Sequence, residues 1–307
     1  MAEGSILLPG NYDGVHVGHR VLIDAALRLA ETEGLRSTVL FFDPHPLRIV
    51  DPARAPEALT SASRRAELLR AAGVAEVVAQ PFDHAFSQWS PKEFVDRLLI
   101  DRFAARIVVT GEDFRFGRGR EGDVEGLRRL GERYGFHVLT LEAIQRDHTT
   151  VSSSRIRRLI KEGDVESAAE LLARHHEAEG RVVRGAARGR QIGFPTANLD
   201  FDALLLPPHG VYAVWVRSLD RPRSSPWRGV ANLGVRPTFD AGLSLEVHLL
   251  DQHEDLYGER LRVAFVSRLR EEQRFDGVEA LKAQIAADCR HAEGVLASAS
   301  EDYLRWF

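Results

Sequence analysis

The stretch that decides the fold is Ser5-Ile6-Leu7-Leu8-Pro9-Gly10-Asn11-Tyr12-Asp13-Gly14-Val15-His16-Val17-Gly18-His19, an apolar run that gives way to a glycine-rich turn. A helix-period segment follows over 18–33, so the stretch reads as strand, turn and helix. Such a turn delivers backbone N–H groups and two imidazoles to the carboxyl edge of a parallel sheet. The partial positive charge of a helix N-terminus favours anions there, and Gly18 lets a phosphate approach the backbone closely. His16 and His19 are three residues apart and can face one ligand, where two donors would stabilise charge building on a phosphate. Taken singly, either histidine reads better as a polar turn residue, and it is the pair flanking a glycine in a strand-to-helix turn that favours a ligand. A zinc site would need a further Cys or His nearby, and none stands at suitable spacing.

Outward from this turn, the first half alternates apolar runs with amphipathic stretches. Ser5–Pro9, Ser37–Phe42, Glu76–Gln80, Arg106–Thr110 and His137–Glu142 read as buried strands, separated by helical periodicity near 18–33, 61–73, 91–101 and 123–135. The pattern predicts a parallel sheet with helices on both faces. Ser90-Pro91-Lys92-Glu93 supplies an N-cap, a proline at the first helical position and a capping-box acid. From Ser153 to Arg174 the pattern is helical, punctuated by Gly163-Asp164. After Glu177 it turns to β-rich segments near 179–184, 210–217, 227–233, 243–250 and 260–267, spaced as in a small antiparallel barrel. A last helix is expected to open on the capping box Asp276-Gly277-Val278-Glu279, to run to about Arg290 and to cover the barrel, with further helix toward the C-terminus.

Composition bounds the function. The 307 residues carry 41 basic and 45 acidic side chains, a net charge of −4, which argues against a nucleic-acid coat. With 44% hydrophobic and 28% charged residues the chain reads as an ordinary globular one of about two domains. No apolar run approaches the ~20 residues of a membrane span. The one cysteine, Cys289, cannot close an intramolecular disulfide, and Met-Ala-Glu-Gly is not a basic region followed by an apolar core. The expectation is a reducing, cytoplasmic setting. Lysine occurs only at Lys92, Lys161 and Lys282, so the cations are nearly all arginine, from coding bias or from phosphate handling.

A second dense motif is Gly180-Arg181-Val182-Val183-Arg184-Gly185 followed by Gly189-Arg190-Gln191-Ile192-Gly193-Phe194-Pro195-Thr196-Ala197-Asn198. It lacks the G-x-x-x-x-G-K-[ST] of a P-loop, yet glycines so spaced let a loop wrap phosphates while arginines supply charge. If 196–198 is extended, Thr196 and Asn198 point the same way and offer two oxygens to a hard cation such as Mg2+. An RNA-binding strip or a solvated basic loop are the alternatives, and the scarcity of interleaved aromatics counts against the first.

The His16-Val17-Gly18-His19 run resembles the signature of the nucleotidyltransferase superfamily, and its longer form resembles the adenylyltransferase half of bacterial bifunctional riboflavin kinase/FAD synthetases. Phe42-Asp43-Pro44-His45-Pro46, Gly111-Glu112-Asp113-Phe114-Arg115-Phe116-Gly117 with Gly122-Asp123, and Val151-Ser152-Ser153-Ser154-Arg155-Ile156-Arg157 match that family in order. The glycine and arginine motif resembles the riboflavin kinase signature. Pro208-His209-Gly210-Val211-Tyr212-Ala213, the run Gly229 to Thr238, Glu246-Val247-His248 and Asp255-Leu256-Tyr257-Gly258 agree with it. Ser154 stands where the family usually has threonine, Thr150 where it often has a basic residue, and Leu172–His176 in place of a Gly-Arg-Pro-Tyr-like joint.

The resemblance implies a Rossmann-like nucleotidyltransferase domain over 1–160, a helical connector over 161–177 and a riboflavin kinase-like β-barrel with a C-terminal helix over 178–307. It implies ATP and Mg2+, with riboflavin and FMN as flavin substrates, and neither nucleic acid nor membrane as partner; self-association is left open. In the first domain His16 and His19 would be catalytic, with Gly10, Asp13, Gly18, Gly111, Asp113, Ser153, Ser154 and Arg157 around the phosphates. Capping alone would also explain the serines. In the second, Gly185, Gly189, Arg190, Gly193 and Pro195 would cradle ATP, Thr196 and Asn198 would hold the metal, and Arg270 would lie near the flavin. Glu246 would be the catalytic carboxylate, accepting or orienting a hydroxyl proton. A module that binds flavin and nucleotide with one half inactive, or an adenylyltransferase with another acceptor, are the rival readings.

Overall fold

A computed structural model describes residues 4–146, 148–185, 188–201, 204–221, 225–235, 243–250 and 254–307, apart from the side chains of Arg188 and Arg190. The chain divides into two compact units, Met1–Ser153 and Ser154–Phe307.

In the first unit five parallel strands, β1 (Ser5–Gly10), β2 (Arg36–Asp43), β3 (Glu76–Pro81), β4 (Ala105–Gly111) and β5 (His137–Leu141), lie in the order β3-β2-β1-β4-β5. All five lie where the apolar runs predict them. β1 is central, pairing with β2 through Ile6 and Ser37 and with β4 through Ile6 and Ile107, and Ser5 to Pro9 are all buried. A strand covered on both faces needs an unbroken apolar run, which is why its sequence does not alternate. Leu7 and Leu40 enter a core with Phe94, Leu98, Val108 and Leu127.

Helix ends follow their local chemistry. Ser90 accepts from the Glu93 N–H and Glu93 returns the bond to the Ser90 N–H, so the expected capping box forms. Beyond Phe94 that helix widens into a π-helix over Val95–Arg102. The helix Val17–Glu33 ends on Gly34 at φ 64, a left-handed position that a side chain would strain. A two-stranded ribbon, β6 (Gln145–Arg146) with β7 (Thr149–Thr150), carries no apolar pattern that would have revealed it.

The second unit begins with helices Ser153–Glu162 and Val165–Leu172, parted at Gly163 as expected, and Asp164 caps the second by accepting from the Ser167 N–H. A closed antiparallel barrel follows from β8 (His176–Val183), β9 (Ala197–Phe201), β10 (Gly210–Ser218), β11 (Trp227–Val235), β12 (Leu243–Leu249) and β13 (Arg260–Arg270), in the order β10-β11-β12-β9-β8-β13. Val182, Leu199, Tyr212, Ala231, Leu245 and Phe265 fill its interior. β9 was not among the expected strands, because only Leu199 of its five residues is fully buried and so gives almost no alternation.

The last helix covers the barrel as expected but spans Val278–Ser298 rather than ending near Arg290, since Ala292 and Leu296 continue its buried stripe against Val211, Ala213 and Val266. A 3-10 turn at Glu301–Leu304 follows. The capping box expected at Asp276 and Glu279 does not form. The cap is Gly277, with no side-chain bond, so Glu279 occupies the second helical position and cannot reach back as a third-position acid does.

Candidate active sites

In the strand order of the first sheet the chain steps outward from β1 on one side through β2 and β3, then crosses to β4 on the other. The carboxyl ends of β1 and β4 therefore flank a topological switch point, where open α/β sheets bind ligands. β1 ends at Gly10 and β4 at Gly111, so the two densest N-terminal motifs leave the sheet side by side.

The loop from Gly10 to His19 is held from beneath. Asp13 is 3% exposed, and its carboxylate accepts from the Leu59 N–H, the Thr60 N–H, the Thr60 hydroxyl and the Arg65 guanidinium. This departs from the expected phosphate-side role: a carboxylate already surrounded by donors and closed to solvent serves as the anchor of the loop. Tyr12 and Val15, both buried, take positive φ of 50 and 41. For a β-branched residue that geometry costs on the order of 1–3 kcal/mol and persists only where surroundings impose it. Gly10 lies against the Tyr12 ring, where a Cβ would come within 2.9 Å.

His16 caps the helix Val17–Glu33, its Nδ1 accepting from the His19 N–H at 3.4 Å. An accepting Nδ1 places the proton of a neutral ring on Nε2, leaving that N–H as a donor. The rings of His16 and His19 stack at 3.7 Å between centroids, 17° from parallel. A Cβ on Gly18 would meet His16 Nδ1 at 3.1 Å, so glycine lets the ring lie there. Burial, and then the nearby charges of His16 and Arg65, hold the His19 imidazole well below the usual histidine range. His19 is thus a neutral donor, and its Nδ1 has no hydrogen-bond partner among the described residues.

Ser153 donates its hydroxyl hydrogen to the Asp13 carbonyl at 2.8 Å, which ties the 151–153 segment to the loop. Ser154 and Arg157, three apart, share one side of the helix Ser153–Glu162, with Ser154 exposed and Arg157 half-buried. Asp113 is exposed beyond β4, and a Cβ on Gly111 would fall 2.9 Å from its Oδ1. The run that follows closes into a small hairpin through paired bonds between Phe116 and Gly122. Near the ends of β2, β3 and β4 stand the half-buried rings of Phe42, Phe82 and Phe114, linked to Phe86, Trp89, Phe94 and Phe116 through ring contacts of 4.6–6.4 Å. Sequence reasoning missed this aromatic face because its members come from a strand, two short helices and the loops between them.

In the barrel the motif residues come together around β9 and β12. Register places Asn198 opposite Glu246 and Glu246 opposite Asn232, three polar side chains in a row. Their strand neighbours Leu199, Leu245, Val247 and Ala231 fill the core, so alternation turns the row outward. The Thr196 hydroxyl donates to Glu246 Oε2 at 3.3 Å, and Ser244 reaches Oε1 at 3.5 Å. His248 Nδ1–H donates to the Pro195 carbonyl at 2.8 Å, fixing the turn that presents Thr196. Glycines make the approach possible: a Cβ on Gly185 would fall 2.3 Å from Asn198 Nδ2, and one on Gly189 2.3 Å from the Phe194 carbonyl oxygen. Gly193 takes φ 91 at the foot of this turn. The Arg190 side chain, and Arg236, Pro237 and Thr238, lie outside the described residues.

Thr196 and Asn198 are neutral oxygen donors beside the Glu246 carboxylate, a set that fits Mg2+, which takes few protein ligands and completes its shell with phosphates and water. Among the described residues no cluster of three or more His, Cys, Asp or Glu could hold a metal ion alone. Arg270, expected near the flavin, has a structural partner that the sequence did not show. Its fork grips Asp288 on the last helix through Nε and Nη2 at 2.8–3.0 Å, and Nη1 donates to the Glu271 carbonyl. Gln284 also donates to Asp288, and the guanidinium lies over Phe275 at 5.7 Å. The pair fastens the helix to the end of β13. Asp288 was missed because it is one acid in a charged helix with no motif around it.

The comparisons agree with this division. Residues 1–155 match the FAD synthetase family and residues 172–296 the riboflavin kinase family. The bifunctional riboflavin kinase/FMN adenylyltransferase of Escherichia coli (strain K12) is 39% identical over 288 residues, 93% of this chain and 91% of the relative. Its counterpart in Pseudomonas fluorescens is 40% identical over 297 residues, 96% of this chain and 94% of the relative. A solved structure described as a macrolide-efflux protein from Streptococcus pneumoniae shares the fold with a TM-score of 0.84 and 30% identity, covering 98% of this chain and 96% of that one. Among the described residues, no helix is long and apolar enough to cross a membrane. With both domain families matched in order and relatives aligned over nearly their whole length, the chain belongs to the bifunctional riboflavin kinase/FMN adenylyltransferase family.

Proposed function

We propose that residues 178–307 phosphorylate riboflavin to FMN with ATP and that residues 1–160 transfer the adenylyl group of a second ATP to FMN, giving FAD and pyrophosphate, with 161–177 as the helical connector. The reading rests on the two sets of motif residues assembling separately, each within one matched family region: the stacked histidines at the switch point and the Thr196–Glu246–Asn198 group on the barrel. In the first reaction the ribityl 5′-hydroxyl attacks the γ-phosphorus of ATP, and Glu246 orients that hydroxyl and accepts its proton. Thr196 and Asn198 would hold Mg2+, which when bound neutralises phosphate charge; the turn around Gly185, Gly189, Arg190, Gly193 and Pro195 would cradle the nucleotide.

In the second reaction an oxygen of the FMN phosphate attacks the α-phosphorus of ATP and the bond to pyrophosphate breaks. The Nε2–H of His16 and the neutral His19 ring donate to the oxygens that gain charge, with the N-terminus of the helix Val17–Glu33 behind them. Gly10, Gly18 and Gly111 leave room for the nucleotide, and Asp113, Ser154 and Arg157 contribute polar groups, Ser154 and Arg157 toward the polyphosphate. Phe42, Phe82 and Phe114 form the apolar face on which the flavin ring rests. The single cysteine supports a cytoplasmic, reducing setting.

With riboflavin, ATP and Mg2+ the purified protein makes FMN and then FAD by chromatography. His16→Ala leaves FMN accumulating, and Glu246→Ala blocks FMN formation yet still converts supplied FMN. Native riboflavin phosphorylation by Glu246→Ala would remove the role given to that carboxylate.

A further inference from the structure

Beneath the His16/His19 loop lies an ion pair that the chemistry above does not use. The side chains of Arg65, on the helix Ala62–Ala71, and Asp13 are only 5% and 3% exposed and meet at 3.2 Å. Arg65 is committed elsewhere too: Nη1 donates to the Asn11 carbonyl at 2.9 Å, Nη2 to the Thr60 carbonyl at 3.3 Å, and the guanidinium lies 5.0 Å over the Phe41 ring at the end of β2. Thr60 extends the clamp, its hydroxyl donating to Asp13 and accepting from the Gly14 N–H. The Asn11 carbonyl, the Asp13 carboxylate and the Gly14 N–H are therefore gripped on either side of the left-handed Tyr12, and Val15, left-handed in turn, closes onto the Tyr12 carbonyl at 3.1 Å. His16 is the next residue.

We infer that Arg65 is a positioning residue for adenylyl transfer, acting through Asn11, Asp13 and Thr60 to fix the strained backbone that delivers His16 and His19. The inference rests on the reading of those histidines as the donors to the reacting phosphate. A grip spread over two carbonyls and one carboxylate needs a planar fork with several donors, which lysine lacks. The guanidinium also acts on His19 by charge. The groups facing that imidazole are the His16 ring, the Tyr12 ring at 4.9 Å and the Arg65 cation, and burial is the larger influence on its protonation. Burial first, then the His16 charge and, least of the three, the Arg65 cation keep His19 an uncharged donor as the pH falls. A neutral imidazole donates a hydrogen bond to developing charge without adding a full charge that would hold the ground-state polyphosphate equally tightly.

The test uses the full-length chain with Arg65→Met, Arg65→Lys and Thr60→Val, assayed for FAD formation from supplied FMN and, in the same samples, for riboflavin phosphorylation. Histidine-labelled NMR follows the titration of the His19 ring, assigned by its loss in His19→Gln. Arg65→Met is expected to lower kcat for adenylylation about a hundredfold with KM little changed, as for a reacting group displaced by about 1 Å. It should also move the His19 titration slightly upward, with burial and the His16 charge still holding it low. Arg65→Lys should keep that titration near wild type while recovering only part of the rate, and Thr60→Val should lower the rate without moving it. Riboflavin phosphorylation should stay at the wild-type rate in all three.

Wild-type kcat in a folded Arg65→Met protein overturns the inference. So does a loss carried by KM with kcat unchanged, or one that Arg65→Lys does not partly recover, the result of a merely structural arginine. If Arg65→Met does not fold, Arg65→Lys and Thr60→Val decide: wild-type adenylylation in both overturns it. His16→Ala and His19→Ala run alongside separate the two readings. Native rates in those variants sink the assignment of the histidines, whereas slow histidine variants beside a fast Arg65→Met sink the role of Arg65 alone.

Discussion

At the scale of single residues, the proposed adenylyltransferase site holds rings placed by what is absent beside them. Gly18→Ala would put a methyl 3.1 Å from His16 Nδ1 and turn the ring from its stack on His19. Alanine is a better helix former than glycine, so FAD formation from FMN should fall while the melting temperature holds or rises. On the proposed mechanism His16 and His19 are donors to the transition state, so truncating either should cost roughly 2.7–4 kcal/mol of barrier, read as kcat for adenylylation. A third histidine bears on stability. His175 is 4% exposed, stacks edge-on against Tyr303, and burial pulls it down to about 4, with Glu177 partly opposing. The unfolded chain takes up a proton near the ordinary 6.5 that the folded chain refuses until about 4. Stability therefore falls as pH drops through that window, by up to about 3 kcal/mol from this group. His175→Gln should flatten the loss between pH 7 and pH 5 in denaturant unfolding.

At the scale of elements, arginine forks do much of the joining. Arg262 on β13 meets Glu179 on β8 at 2.6 Å, Arg65 joins a helix to the loop after β1, and Arg270 joins β13 to the last helix through Asp288. Bidentate geometry suits arginine and not lysine, which gives the arginine-rich composition a structural use beyond phosphate binding. Asp288→Ala would leave the Arg270 fork without its carboxylate. The expected cost is roughly 3 kcal/mol, with faster hydrogen exchange concentrated in Val278–Ser298 because the apolar stripe around Ala292 and Leu296 alone then holds that helix. Equal exchange in the wild type and variant would show that the clamp contributes little.

For the whole molecule, two chemistries on two compact units predict separable losses. On the proposed roles, His16→Ala protein should still phosphorylate riboflavin and Glu246→Ala protein should still adenylylate FMN. Mixed in one tube with riboflavin, ATP and Mg2+, the two variants should together form FAD, because FMN released by one is a substrate for the other. A mixture that accumulates FMN and makes no FAD would mean that FMN reaches the second site only within a single intact chain.

The amino-acid sequence by itself determined the parallel sheet and the barrel, and it pointed to the two candidate sites. Buried parallel strands such as Ser5–Gly10 must be apolar throughout, and a glycine-rich turn between strand and helix has few other uses, so both are written in local order. It also brought Glu246, Thr196 and Asn198 into view through local motifs, without showing that β9 exists to align them. Tertiary structure alone decided what buried charges do. Asp13 looks like a ligand-facing acid until Leu59, Thr60 and Arg65 surround it, and nothing around Arg270 in the sequence announces the Asp288 carboxylate that closes on its fork. A charged side chain is assigned by the partner that meets it, and these partners lie 18 to 52 residues away along the chain. Only folding brings such groups into contact, and short-range periodicity carries no trace of them.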